Sequence, residues 1–162
     1  MIIESIVSYA IEKALVILPR QLTGHFVSPQ KIANQVYIDL RSENPIDISF
    51  GSEVPRIDIC FKISNMSLAN IVLDRLLIDL WIGQPTLQGA ILERYDVPKR
   101  SIKEGVYFSD QLTIHQQKQI EKRVDGKLLS VPVKVHVKAY FESKVGLICV
   151  EKRLERSEVL VR

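Results

Sequence analysis

The sequence predicts an all-β fold, an antiparallel β-sandwich. Three observations carry that expectation. Apolar and polar residues alternate with period two through Val36–Leu40, Ile57–Ile63 and Val131–Val137. These runs are short and separated by turn-forming clusters, as in a sandwich whose sheets keep one face dry and the other wet. The composition, 46% hydrophobic and 25% charged over 162 residues, excludes disordered and low-complexity chains and is enough for one domain with its own core.

The elements follow in order. In "MIIESIVSYAIEKALVIL" the polar residues Glu4, Ser5, Ser8 and Glu12 fall on one arc of a helical wheel, and Ile3, Ile6, Val7, Ala10, Ala14 and Ile17 lie on the other. An amphipathic helix over 1–20 is therefore expected, closed by Pro19 and Gly24. It lacks the basic start and cleavage site of a secretory signal, and Glu12 and Lys13 interrupt it as a spanning segment. The chain is thus expected to be cytoplasmic. The apolar arc is the candidate contact with a protein partner or a second copy. A peripheral membrane contact ranks below that, because the polar stripe is acidic rather than basic.

From residue 34 to 162 the sandwich is expected. "NQVYIDLR" and "RIDICFKIS" alternate as half-buried strands, and "SVPVKVHVKAYF" turns at "SKVG" into "LICVEKRLE" as a hairpin. "HQQKQIEKRVDGK" is rich in helix formers and predicts a short helix near 115–124, stopping at Asp125-Gly126. "SNMSLANIVLDRLLIDLWIG" is ambiguous. Leu73, Leu76, Leu77 and Leu80 have helical spacing, whereas Val72, Leu76, Ile78, Leu80 and Ile82 share one strand face. Strands on both sides and good strand residues decide for a strand, with Trp81 expected in or beside the core and Asn65, Ser67 and Asn70 in the preceding turn.

The order of these elements resembles a known family, the late-embryogenesis-abundant group 2 proteins, also called the water-stress and hypersensitive-response (WHy) domain. The run "IDICFKISN", "NIVLDRLLIDLWIG", "PTLQGAI", "YDVPKRSIKEGVYFSDQLT", the polar helix and "KVHVKAYFESKVGLICVEK" carries it, from about Val54 to Glu151. Asn65, Gly89, Pro98 and Gly105 occupy places comparable to the family's own asparagine, glycine and proline positions. Met66 departs from the pattern, since proline is usual there. The resemblance implies an immunoglobulin-like or fibronectin type III-like sandwich without catalytic residues, stress-related, and acting on membranes or partner proteins. It also makes the helix before Pro19 comparable to the membrane anchor of many such proteins.

The residues themselves advertise no catalytic chemistry. Cys60 and Cys149 lie far apart in strand-like runs and read as free thiols. His25, His115 and His136 stand in three segments without ligand spacing, so no metal or cofactor is expected. Glu93 and Asp96, amid Arg94, Lys99 and Arg100, read as a solvated loop rather than an acid–base pair. Lys118, Lys122, Arg123, Lys127, Lys134 and Lys138 are the candidate anion-facing set for nucleic acid or anionic lipid. That reading ranks second, because the sequence interleaves no aromatic side chains with them and the formal charge is only +3. The leading expectation is a non-enzymatic interaction domain.

Overall fold

The computed structural model describes residues 28–51 and 54–162; the predicted N-terminal helix and its contact residues, Ile3 to Ile17, lie outside them. A single-turn helix, α1 (Pro29–Ala33), capped by the Ser28 side chain, opens the described chain and buries Ile32. Eleven strands follow: β1 (Val36–Leu40), β2 (Ile46–Ser49), β3 (Arg56–Asn65), β4 (Ile71–Ile82), β5 (Pro85–Ile91), β6 (Tyr95–Val97), β7 (Ser101–Gln111), β8 (Val124–Asp125), β9 (Leu128–Leu129), β10 (Val133–Ser143) and β11 (Gly146–Arg156). Helix α2 (Ile114–Glu121) lies between β7 and β8.

Two antiparallel sheets result. In the four-stranded sheet β3 is central: β7 pairs along one side, while β2 and then β1 share the other, so these two form one interrupted edge. The five-stranded sheet runs β11–β10–β4, with β5 and β6 sharing the far edge of β4 in the same manner. Both interruptions have local causes. Asn44 adopts a left-handed φ of 42° just before Pro45, which cannot donate to a ladder. The break between β5 and β6 faces a bulge in β4.

That bulge resolves the ambiguous stretch. Leu73 pairs with Phe141 and Arg75 with Tyr140, which leaves Asp74 as an extra residue without a partner on β10. Alternation therefore changes parity: Ile71 and Leu73 point inward before the bulge, and Leu76, Ile78, Leu80 and Ile82 after it. The three-residue step from Leu73 to Leu76, which imitates a helical repeat, is the mark of the bulge. Trp81 falls on the outer face with Arg75 and Asp79, not in the core as its apolar neighbours suggested, because strand parity outweighs adjacency.

Between the sheets lie Ile57, Ile59, Phe61 and Ile63 of β3, the inward residues of β4, and Val133, Val135, Val137, Ala139 and Phe141 of β10, each no more than 1% exposed. Each large aliphatic chain contributes roughly 1.5–3 kcal/mol on burial, so this layer dominates the stability of the fold. Helix α2 starts on a capping box: Thr113 accepts from the Gln116 backbone, and the Gln116 side chain accepts from the Thr113 N–H. It ends at Glu121, earlier than Asp125-Gly126, because Val124–Asp125 pair with Leu128–Leu129 across Gly126, whose φ is +63°. Residues 159–162 return to the edge of β2: Ile48 bridges Val161, the Arg162 N–H donates to the Ile48 carbonyl, and the Phe50 N–H donates to the Arg162 carbonyl.

Candidate functional site

The outer face of the five-stranded sheet is the part of the molecule with the most varied chemistry. Strand register builds it row by row. Asp79, His136 and Arg153 lie side by side on β4, β10 and β11; Trp81, Lys134 and Glu155 form the next row toward α2; Leu77, Lys138 and Glu151 lie on the other side, followed by Arg75, Tyr140 and Cys149. The pleat sends all twelve to the side away from the core.

His136 is the hub. One ring nitrogen lies 2.8 Å from Glu151 Oε1 and the other 3.4 Å from Asp79 Oδ2, while Gln88 Nε2 donates to the remaining Asp79 oxygen at 2.8 Å. A protonated imidazole donates to both carboxylates; a neutral one to only one. The Trp81 ring tilts over this imidazole, centroids 6.4 Å apart at 44°. Farther down the face, the Arg75 guanidinium lies 4.6 Å from the Tyr140 ring centre and the Lys138 ammonium 5.7 Å from it on β10. The contact with Tyr140 raises Lys138 above its ordinary range.

Two clefts meet at Trp81. One, of about 450 Å³, is lined by Trp81, Lys134, His136, Arg153, Leu154 and Glu155. The other, of about 430 Å³, lies toward α2 among Asp79, Trp81, Pro85, Thr86, Gln88 and Gln116. Gln116 Nε2 donates to the Thr86 carbonyl at 2.8 Å, which ties the helix to this edge of the sheet.

The basic residues singled out from sequence come from three parts of the fold. Lys118 and Lys122 lie at the end of α2, and Lys127 is exposed between β8 and β9. Arg123 folds back, donating to the Gln119 carbonyl and lying against Gly83, where a methyl group would clash with its Nε at 2.5 Å. Lys134 and Lys138 belong to the sheet face, and there Lys134 has Trp81 beside it from a distant strand, while Lys138 has Tyr140 at the next outward position of its own strand. Glu93 accepts the Tyr95 hydroxyl at 2.6 Å, while Arg94 bridges Asp74 and Glu142. Cys60 is buried in β3, and Cys149 is exposed on β11. Among the described residues, no group of three or more His, Cys, Asp or Glu is placed to hold a metal ion.

A second polar centre is structural. Asn65, wholly buried, donates to the carbonyls of Ala69, Val97 and Pro98 at 2.8, 3.0 and 3.1 Å and accepts from the Ser67 N–H and hydroxyl. It thereby locks the β3–β4 turn to the β6–β7 turn. Asn65-Met66-Ser67 matches the N-glycosylation acceptor pattern, but burial removes Asn65 from the surface on which such an acceptor must stand. Met66 donates its N–H to the Gln35 carbonyl at 2.8 Å, a bond that proline has no proton to make.

No protein-family model matches this sequence, and no curated protein matches it. Solved structures similar to the chain include a protein from Archaeoglobus fulgidus, 15% identical, with TM-score 0.42 over 73% of this chain and 92% of that one. Others are Pseudomonas fluorescens alkylpurine DNA glycosylase AlkC bound to DNA containing an abasic site analog (14%, TM-score 0.37, 93% of this chain and 38% of that one) and the N-terminal domain of PorA (13%, TM-score 0.30, 74% and 97%).

Proposed function

We propose that the protein is a non-enzymatic interaction domain that binds a protein partner through the outer face of its five-stranded sheet. The observation that carries this is the grouping of Trp81, Tyr140, Arg75 and Leu77, the last 40% exposed, on one face. Tryptophan, tyrosine and arginine are the side chains that contribute most at protein interfaces, because they bring large contact area with a polar handle. The face is mixed in charge: Arg75, Lys134, Lys138 and Arg153 stand among Asp79, Glu151 and Glu155. A polyanion meets repulsion as well as attraction there, which ranks nucleic acid and anionic lipid second.

The strand order, β1/β2–β3–β7 against β11–β10–β4–β5/β6, supports assignment to the immunoglobulin-like and fibronectin type III-like sandwiches. The late-embryogenesis-abundant group 2 reading draws support from the four positions on which it rests. Asn65 and Pro98 meet through a hydrogen bond; Gly89 lies under Phe108, whose ring a β-carbon would strike; Gly105, with φ +74°, is the extra residue opposite the Phe61–Lys62 step. A stress-related role follows from that reading, with the N-terminal segment as a further contact for a second copy or a membrane surface.

Affinity capture with the full chain tests the proposal. Wild type should retain a partner that a Trp81→Ala, Tyr140→Ala double variant loses at unchanged far-ultraviolet circular dichroism. Equal capture by both would move the interface elsewhere.

A further inference from the structure

We infer that the cleft beside Trp81 seats an acidic side chain of an extended peptide segment of the partner. The inference rests on the proposed interaction face and names the chemistry that would fill the larger of the two clefts at Trp81. Beside this cleft the carboxylates of Glu151 and Asp79 lie 2.8 and 3.4 Å from the two ring nitrogens of His136 and do not line it. None of the ion pairs among the described residues takes up Lys134 or Arg153. The cleft thus offers an ammonium and a guanidinium, one carboxylate in Glu155, and an indole wall.

That balance selects the ligand. A single carboxylate is bound by the Arg153 fork and the Lys134 point charge, and its aliphatic stem lies against Trp81. A phosphodiester chain would carry further charges across Glu155, Glu151 and the Asp79 row, so the site suits an isolated acidic residue better than a polyanion. Lys138 repeats the cation on the same face of β10, four residues on and about 13 Å away at the ordinary strand rise. An extended peptide with acidic residues at positions i and i+4 presents the same repeat, and small apolar side chains between them meet Leu77 and the indole.

Trp81 is the only tryptophan in the chain, so its fluorescence reports on this cleft without background. The probe is a seven-residue peptide with glutamates second and sixth and valine and threonine between them, titrated into the full chain, with its lysine counterpart and a ten-nucleotide single strand as comparisons. A saturable change with the acidic peptide alone is expected. Arg153→Glu or Lys134→Glu should weaken it about tenfold or more, and Lys118→Glu on α2 should leave it unchanged. No saturable change, or an equal response from Arg153→Glu at unchanged circular dichroism, overturns the inference. So does tighter binding of the oligonucleotide, which would give the cleft to nucleic acid. If the acidic peptide fails while the Trp81→Ala, Tyr140→Ala variant still loses its captured partner, the interaction face stands and only this assignment falls.

Discussion

Replacing Asn65 by Ala removes a side chain that satisfies groups from two turns at once. Its amide donates to three carbonyls, and its oxygen receives the Ser67 N–H and hydroxyl. Alanine leaves the Ser67 N–H and the Val97 carbonyl without these partners in positions closed to water, at roughly 1–3 kcal/mol each. With a fraction added for the bonds to Ala69 and Pro98, the loss is about 3–5 kcal/mol. At a urea m-value of about 2 kcal/mol per molar, the midpoint should fall by about 2 M. Ser67→Ala, which removes only the hydroxyl, should cost about 1 kcal/mol. Asn65→Asp keeps the shape but turns an oxygen toward three carbonyl oxygens. Burial raises the pKa of the introduced carboxyl above its unfolded value, so the variant should be worst at neutral pH and recover as pH falls toward 4. Urea melts followed by circular dichroism decide it. A loss below 1 kcal/mol for Asn65→Ala would refute the lock between the two turns.

Further outcomes follow from the same geometry. Gly105→Ala forces a β-carbon onto a left-handed residue 3.1 Å from the Tyr107 ring and should cost about 1–2 kcal/mol in the same melts. Gly89→Ala must displace the Phe108 ring and should cost about 1–3 kcal/mol. Trp81→Ala, on the outer face, should cost under about 1 kcal/mol. Burial, followed by the hydrogen bond to Glu93, pushes Tyr95 up to about 12. The neutral phenol is thus favoured in the folded state, so its contribution is intact below pH 10 and lost as pH rises through about 12. Tyr95→Phe should delete a phenolate absorbance step near pH 12 and flatten the loss of stability over that window.

Much of the sandwich was legible because period-two alternation survives wherever one sheet face is buried, as in Ile57–Ile63 and Val133–Val137. The stretch around Asp74 was harder, since a bulge shifts parity and writes a helical spacing into a strand. Trp81 was misplaced for a related reason: its neighbours in sequence are core residues, but its neighbours in space are His136 and Lys134. The sheet face itself was hidden because β4 lies more than fifty residues before the β10–β11 hairpin, with His136 and Asp79 57 positions apart, and only strand register brings them together. Leu73 and Leu76 carry the signal that the sequence offers, an apolar spacing of three between two runs of spacing two. A shift from odd to even apolar positions within one strand marks a bulge, and it puts Arg75, Leu77, Asp79 and Trp81 on one outward face. The turn residues Asn65, Ser67 and Asn70 were legible as a turn, but the reach of Asn65 to Val97 and Pro98 depends on tertiary packing that local chemistry does not encode.

Partner binding should cover the face around Trp81. Acrylamide quenching of the single tryptophan, compared for the free chain and its complex with a captured partner, measures this directly. Ready quenching in the free chain and strong protection in the complex are predicted; equal quenching in both states would contradict it.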